Sequence, residues 1–243
     1  MSANKDTSLP WRRTMMESVA IILSILLAFA IDAGWDEYKE RKQEKAFLVS
    51  LLSDFKETNS RIDESTAVHL KFIDSGRQLL SFYGTDTPII EPEALEKLLC
   101  DVFFDFTSLY LPSGSRDALF ASGDIQIISN EKLRSMLAAW PTIVDDASED
   151  DSLTAYDVMN NMAPYLRSKV RTRNIMRFTS SKTAAEYITP IEPVNYDVLW
   201  NDPLFDNLVS FRIINETYSL LENGNLSEAA DDIIRVIEKE LEQ

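Results

Sequence analysis

Apolar positions crowd one stretch of this chain: from Met15 to Trp35 only Glu17, Ser18, Ser24 and Asp32 interrupt a continuous hydrophobic run. As a helix, those residues would extend roughly 31 Å, about one hydrocarbon thickness of a bilayer, so the pattern predicts a membrane-spanning segment. The two acids lie near its ends, where a charge costs far less than at the centre. Trp11, Arg12 and Arg13 ahead of the run and Trp35 behind it are placed as membrane-interface residues. A cleaved signal peptide ending at Ala28-Phe29-Ala30 is the competing reading. It is weakened because the helical pattern continues past Ala30 into the charged stretch from Asp36.

Beyond the run, the apolar residues take a different rhythm. Leu48, Leu51, Phe55, Ile62, Phe72, Leu79 and Tyr83 fit a seam repeating every 3.5 residues, with Thr58, Ser65, His69 and Gly76 in its remaining places. Residues 36–83 contain no proline and read as a stalk-like long helix or two helices in succession. The seam is thinnest between Lys56 and Thr66, where a bend is expected. Pro92 then suits a first helical turn, and Leu95, Leu98, Leu99, Val102, Phe103 and Phe106 outline an apolar face. A loop at Pro112 to Ser115 precedes a short helical stretch, Arg116 to Ala121, and a turn at Ser122-Gly123-Asp124.

From Asn130, helical spacing resumes through Leu133, Met136, Leu137, Trp140, Ile143 and Val144, with Pro141 expected to kink or end the helix. Met159, Met162 and Leu166 continue a helical stripe, and Thr179 to Val194 reads as a loop. Asp202-Pro203 is a helix start, and Leu204, Leu208, Phe211, Ile214, Tyr218 and Leu221 are assigned to its buried face. Gly224 suits a C-terminal cap, and Asn225 with Glu228 a capping box for a last helix lined by Leu226, Ala230, Ile233, Ile237 and Leu241. Residues 203–241 are therefore expected to form an antiparallel hairpin. The organisation read from the pattern is a tail over 1–14, a membrane helix over 15–35, the long helix over 36–83 and a helical domain over 84–243. The fold class is all-α, an anchored antiparallel bundle.

Composition supports long helices: the 243 residues include only six glycines and nine prolines. The formal charge of −16 repels nucleic acid and anionic headgroups, which argues against DNA or RNA as a partner. Cys100 is the single cysteine, so no internal disulfide or cysteine-based zinc site is possible. Its apolar surroundings predict a buried small side chain.

Chemistry is scarce. His69, the single histidine, reads as a packing residue of the seam, and no nucleophile, phosphate-loop or histidine-metal motif accompanies it. No catalytic, cofactor-binding or metal-binding residue is assigned, and no cofactor is expected. Asp145, Asp146, Glu149, Asp150 and Asp151 form an acidic cluster without calcium-loop spacing, read as solvated or paired. Arg167, Lys169, Arg171, Arg173 and Arg177 form an acid-free run, a candidate interaction patch for lipid headgroups or, preferably, a neutralising partner of that acidic cluster. Glu17 and Asp32 are candidates for contact with a partner's Arg or Lys within the membrane.

Two segments carry a resemblance. Glu17 to Asn59 contains Ala-Ile-Asp-Ala-Gly-Trp-Asp-Glu at 30–37, Glu40-Arg41, Phe47-Leu48 and Asp54-Phe55; Arg116 to Arg134 contains Ser122-Gly123-Asp124-Ile125-Gln126-Ile127-Ile128 and Leu133-Arg134. Together they resemble a family of uncharacterised single-pass bacterial inner-membrane proteins, in which a membrane helix runs through a Trp-containing charged motif into a long helix. The likeness leaves 145–200 unplaced. It implies an anchored, mainly helical domain and supplies no catalytic residues.

The expected function is non-enzymatic: an accessory or scaffold subunit of an inner-membrane complex, touching lipid and either integral membrane proteins or copies of itself. The charge flanking the span favours a cytoplasmic N-terminus and a periplasmic main domain. The alternative is a membrane-tethered sensor or regulator that binds a small ligand within its helical domain.

Overall fold

A computed structural model describes residues 11–85, 88–180 and 185–242, and of Arg12 the backbone alone. The first ten residues of the expected N-terminal tail, and the Arg12 side chain, lie outside the described residues. The described part is all-α, with no strand. Its helices are α1 (Trp11–Leu80), α2 (Pro92–Phe103), α3 (Gly114–Ala121), α4 (Glu131–Asp157), α5 (Ala163–Lys169), α6 (Arg173–Met176) and α7 (Pro203–Leu241).

Helix α1 runs for 70 residues without interruption, including the 56–66 stretch where a bend was expected. With no proline in it, nothing removes an N–H from its hydrogen-bond ladder. It ends where Gly84 takes a left-handed φ of 77° and donates its N–H to the Trp200 carbonyl at 2.7 Å. That φ strains any residue with a Cβ. The seam is a true buried face: Leu48, Leu51, Phe55, Thr58, Ile62, Ser65, His69, Phe72 and Leu79 are all buried, and only Tyr83, past the helix end, is exposed. From Leu48 onward, the segment read as a stalk is therefore a wall of the bundle.

Helix α7 packs antiparallel along α1: Lys56 meets Glu238 at 2.8 Å, Asn59 meets Asp231 at 2.6 Å, and Val209 lies beside Gly76. The expected hairpin is corrected here, because α7 is one helix of 39 residues that passes through Gly224. A glycine inside a helix costs only about 1 kcal/mol relative to alanine, and Leu226, Ala230, Ile233 and Ile237 bury themselves on the same straight path. Asp202 caps the helix by accepting from the Leu204 N–H at 2.9 Å, as the sequence indicated.

Pro141 does not end α4, which continues to Asp157 from its cap at Asn130, whose side chain accepts from the Leu133 N–H at 3.0 Å. A widened π turn, Val158–Met162, joins α4 to α5. Pro164 follows this turn; its missing N–H gives a physical reason for the local change of helical register.

The apolar interior is divided in two. One core gathers Leu48, Leu51, Phe55, Ile62, Leu133, Leu137, Trp140, Leu226, Ile233 and Ile237 on the anchor side. The other gathers Leu79, Leu99, Phe103, Val158, Met162, Leu166, Trp200, Phe205 and Val209 at the far end. Between them α1, α4 and α7 each change from apolar to polar on their inward faces.

Candidate functional site

That change creates a buried polar layer. Its centre is Glu216 of α7, 1% exposed, whose Oε2 lies 2.5 Å from Nδ1 of His69 on α1 and whose Oε1 lies 2.8 Å from Nε of Arg212. Arg212 is equally buried, donates from a terminal nitrogen to the Asp105 carbonyl at 2.9 Å, and stacks its guanidinium 4.9 Å above the Phe72 ring. On the other side of His69, Nε2 faces Asp151 Oδ1 of α4 at 3.5 Å, while Ser219 donates its hydroxyl to the same oxygen at 3.0 Å. Asn223 continues the layer by donating to the hydroxyls of Ser65 and Thr66.

Three helices thus meet through two basic groups and two carboxylates rather than through leucines. Burial pushes the Asp151 carboxyl above its ordinary pKa, against the opposing pull of His69, Ser219 and the Leu109 N–H. Burial likewise pulls the Arg212 guanidinium below its ordinary value, against the carboxylates of Glu216, Asp157, Asp105 and Asp151. Among the described residues no group of three His, Cys, Asp or Glu side chains is placed to hold a metal ion.

The expected packing role of His69 is met in its burial, but its ionic partners were missed. The signal was present as Arg212 and Glu216, four residues apart on one helix face. The apolar stripe next to them drew the assignment to the wrong side. Leu204, Phe211, Ile214, Tyr218 and Leu221 all point outward, with Phe211 52% and Tyr218 54% exposed; Leu208 is half-buried. The inward face of α7 is Phe205, Val209, Arg212, Glu216, Ser219 and Asn223.

The basic run is dispersed rather than gathered into one patch. Lys169 pairs with Asp202 at 2.8 Å, Arg177 reaches Glu96 at 3.2 Å and Glu93 at 3.7 Å, and Arg167 lies over the Phe104 ring at 5.9 Å. Arg171 and Arg173 are exposed. The preferred reading, in which the run neutralises the acidic cluster, is not what these pairs show: their acids come from α2 and the α7 cap. The acidic cluster is not its partner, because Asp151 turns inward to His69. Asp150 also has a raised pKa, through partial desolvation and the neighbouring carboxylates of Glu222 and Glu149.

Near the N-terminus, Trp11 and Trp35 are exposed, and Trp35 stacks on Tyr38 with Lys39 above its ring. Glu17 is bridged by Arg13 one turn earlier at 3.1 Å, so that acid already has a cation within its own helix. Asp32 is exposed. Cys100 is fully buried, as expected, and burial together with Asp105 and Asp101 pushes its thiol up to about 12. A surface groove of about 600 Å³ runs between α1 and α2 past Lys71, Asp74 and Asp101.

No protein-family model, curated protein or solved structure matches this chain.

Proposed function

We propose that the protein is a membrane-anchored helical accessory or scaffold subunit, held by residues 15–35 in a bacterial inner membrane, with its bundle on the periplasmic side. The observation that carries this reading is the exposure of the apolar part of α1. One window of this helix is long and apolar enough to cross a membrane, and none of that window is buried. Val19, Ile21, Ile22, Leu23, Ile25, Leu26, Leu27, Phe29 and Ile31 are each at least 48% exposed. At ~1.5–3 kcal/mol per large apolar side chain, leaving these nine in water forfeits on the order of 10–25 kcal/mol, comparable with or above a domain's whole stability. A lipid environment removes that cost.

The interaction role rests on what the bundle offers. It is an acidic body continuous with the span through an unbroken helix, with an ionic layer in its interior. Asp32, facing outward within the apolar run, supplies a carboxylate suited to a cation on a neighbouring span. Proteins of the family resembled in the sequence share this plan of a membrane helix continued into a long helix.

The test is affinity isolation of the full chain from gently solubilised bacterial membranes. Stoichiometric recovery of other integral proteins, lost on Asp32→Leu, supports the accessory role. Recovery of the chain with no other integral protein overturns it.

A further inference from the structure

Helix α7 exposes six positions in strict alternation of three and four residues: Leu204, Asn207, Phe211, Ile214, Tyr218 and Leu221. That is the a/d spacing of a helix that expects a second helix along it. The stripe is not the helix's core face, which lies opposite and is occupied by the polar layer. Beside Asn207, Phe211 and Ile214 it carries a shallow, open depression.

Charge indicates the occupant. The molecule carries −16, so two copies repel over most of their surfaces. From Asn207 to Leu221, however, α7 presents no exposed charged side chain, because Arg212 and Glu216 in that interval are both buried. Of the positions flanking the seam, Leu208, Ser210, Asn215 and Thr217 are uncharged, and the single acid, Glu222, stands at its C-terminal end beside Leu221. From Asn207 to Tyr218 such flanks provide no ionic code for selecting a different partner and no like-charge penalty for self-pairing.

Direction follows from the anchor. Helix α7 lies along α1, with its N-terminal half near Gly76 and its C-terminal half near Lys56. Two chains inserted in one bilayer have α1 helices pointing the same way, so their α7 helices meet parallel. In a parallel, in-register pair each seam residue faces its own copy. Asn207 then meets Asn207, and a polar residue in such a seam fixes register.

We propose that this stripe is a self-association surface, on which a second copy of the chain docks through α7, parallel and in register. The direction of pairing rests on the anchored reading above.

The experiment uses the full chain in native membranes with single cysteines at Asn207→Cys, Ile214→Cys or Leu221→Cys, and at Ser152→Cys on the exposed face of α4 as control, under mild oxidation. Cys100, fully buried, gives no background. The pairing predicts disulfide-linked homodimers at all three seam positions and none at the control. Adding Phe211→Arg to the Ile214→Cys chain lowers the cross-linked fraction by about tenfold or more, since two copies of the charge meet in the seam. Absence of homodimers at every seam position overturns the proposal, as does cross-linking to a protein of another mass. Dimers formed only between Leu204→Cys and Leu221→Cys chains overturn the parallel arrangement. An alkaline wash of the same membranes reports separately on anchoring. Seam cross-links in a chain released by the wash uphold the pairing and remove the anchor, whereas a retained chain without cross-links does the reverse.

Discussion

Replacing Glu216 by glutamine removes one charge from the polar layer while keeping its shape. Arg212 at 2.8 Å and the His69 ring at 2.5 Å then face a neutral amide in place of their shared carboxylate. A guanidinium stays charged at neutral pH. Arg212, 1% exposed, is left with the Asp105 carbonyl as its hydrogen-bond acceptor, with the Phe72 ring and with more distant acids. Breaking a buried pair by removing one partner costs about 3–5 kcal/mol, a large part of the ~5–15 kcal/mol that holds a domain together. For a chain of this size that corresponds to a fall in Tm of about 6–20 °C. Replacing both members, as Arg212→Met with Glu216→Leu, takes out the stranded charge and fills the space with apolar atoms. The double variant is expected within a few degrees of the wild-type Tm, or above it. The assay is thermal unfolding of the full chain in detergent at pH 7, followed by the near-ultraviolet circular dichroism of the buried Trp140 and Trp200, one in each apolar core. A Glu216→Gln shift below about 2 °C, or a double variant as unstable as the sum of the singles, would refute the view that Arg212 depends on this carboxylate.

Two further outcomes follow from the same geometry. Asp105 and Asp151 both have pKa values raised chiefly by burial above an ordinary value near 3.8, so the folded chain binds protons more readily than the unfolded one. As pH falls from neutral toward 4 these groups therefore add stability, and Asp105→Asn should flatten part of that rise in Tm; an unchanged pH profile removes Asp105 as a contributor. Glycines in the two long helices should respond oppositely to alanine. Gly224→Ala, with open space around its Cβ, raises stability by about 0.5–1 kcal/mol, while at Gly76 a Cβ would meet Ile213 at 2.9 Å and cancel or reverse that gain, both read from urea unfolding.

Where local rules dominate, the elements were legible from residue order alone. The apolar run, the buried seam from Leu48 to Leu79, the Asp202-Pro203 helix start and the burial of Cys100 each follow from spacing, capping or composition. The orientation of α7 instead depends on contacts between distant helices. A helix carrying one apolar stripe and one ionic stripe can turn either inward, and periodicity favours the apolar one. Here α1 brings His69 and α4 brings Asp151 to the same level of the bundle, 82 residues apart in sequence, and Arg212 and Glu216 complete their charges only by facing them. Continuity through Gly224 was settled in the same way. A glycine's cost of about 1 kcal/mol ends a helix when nothing else holds it, but here four buried apolar residues beyond it pack on α1 and α4 along an unbroken axis.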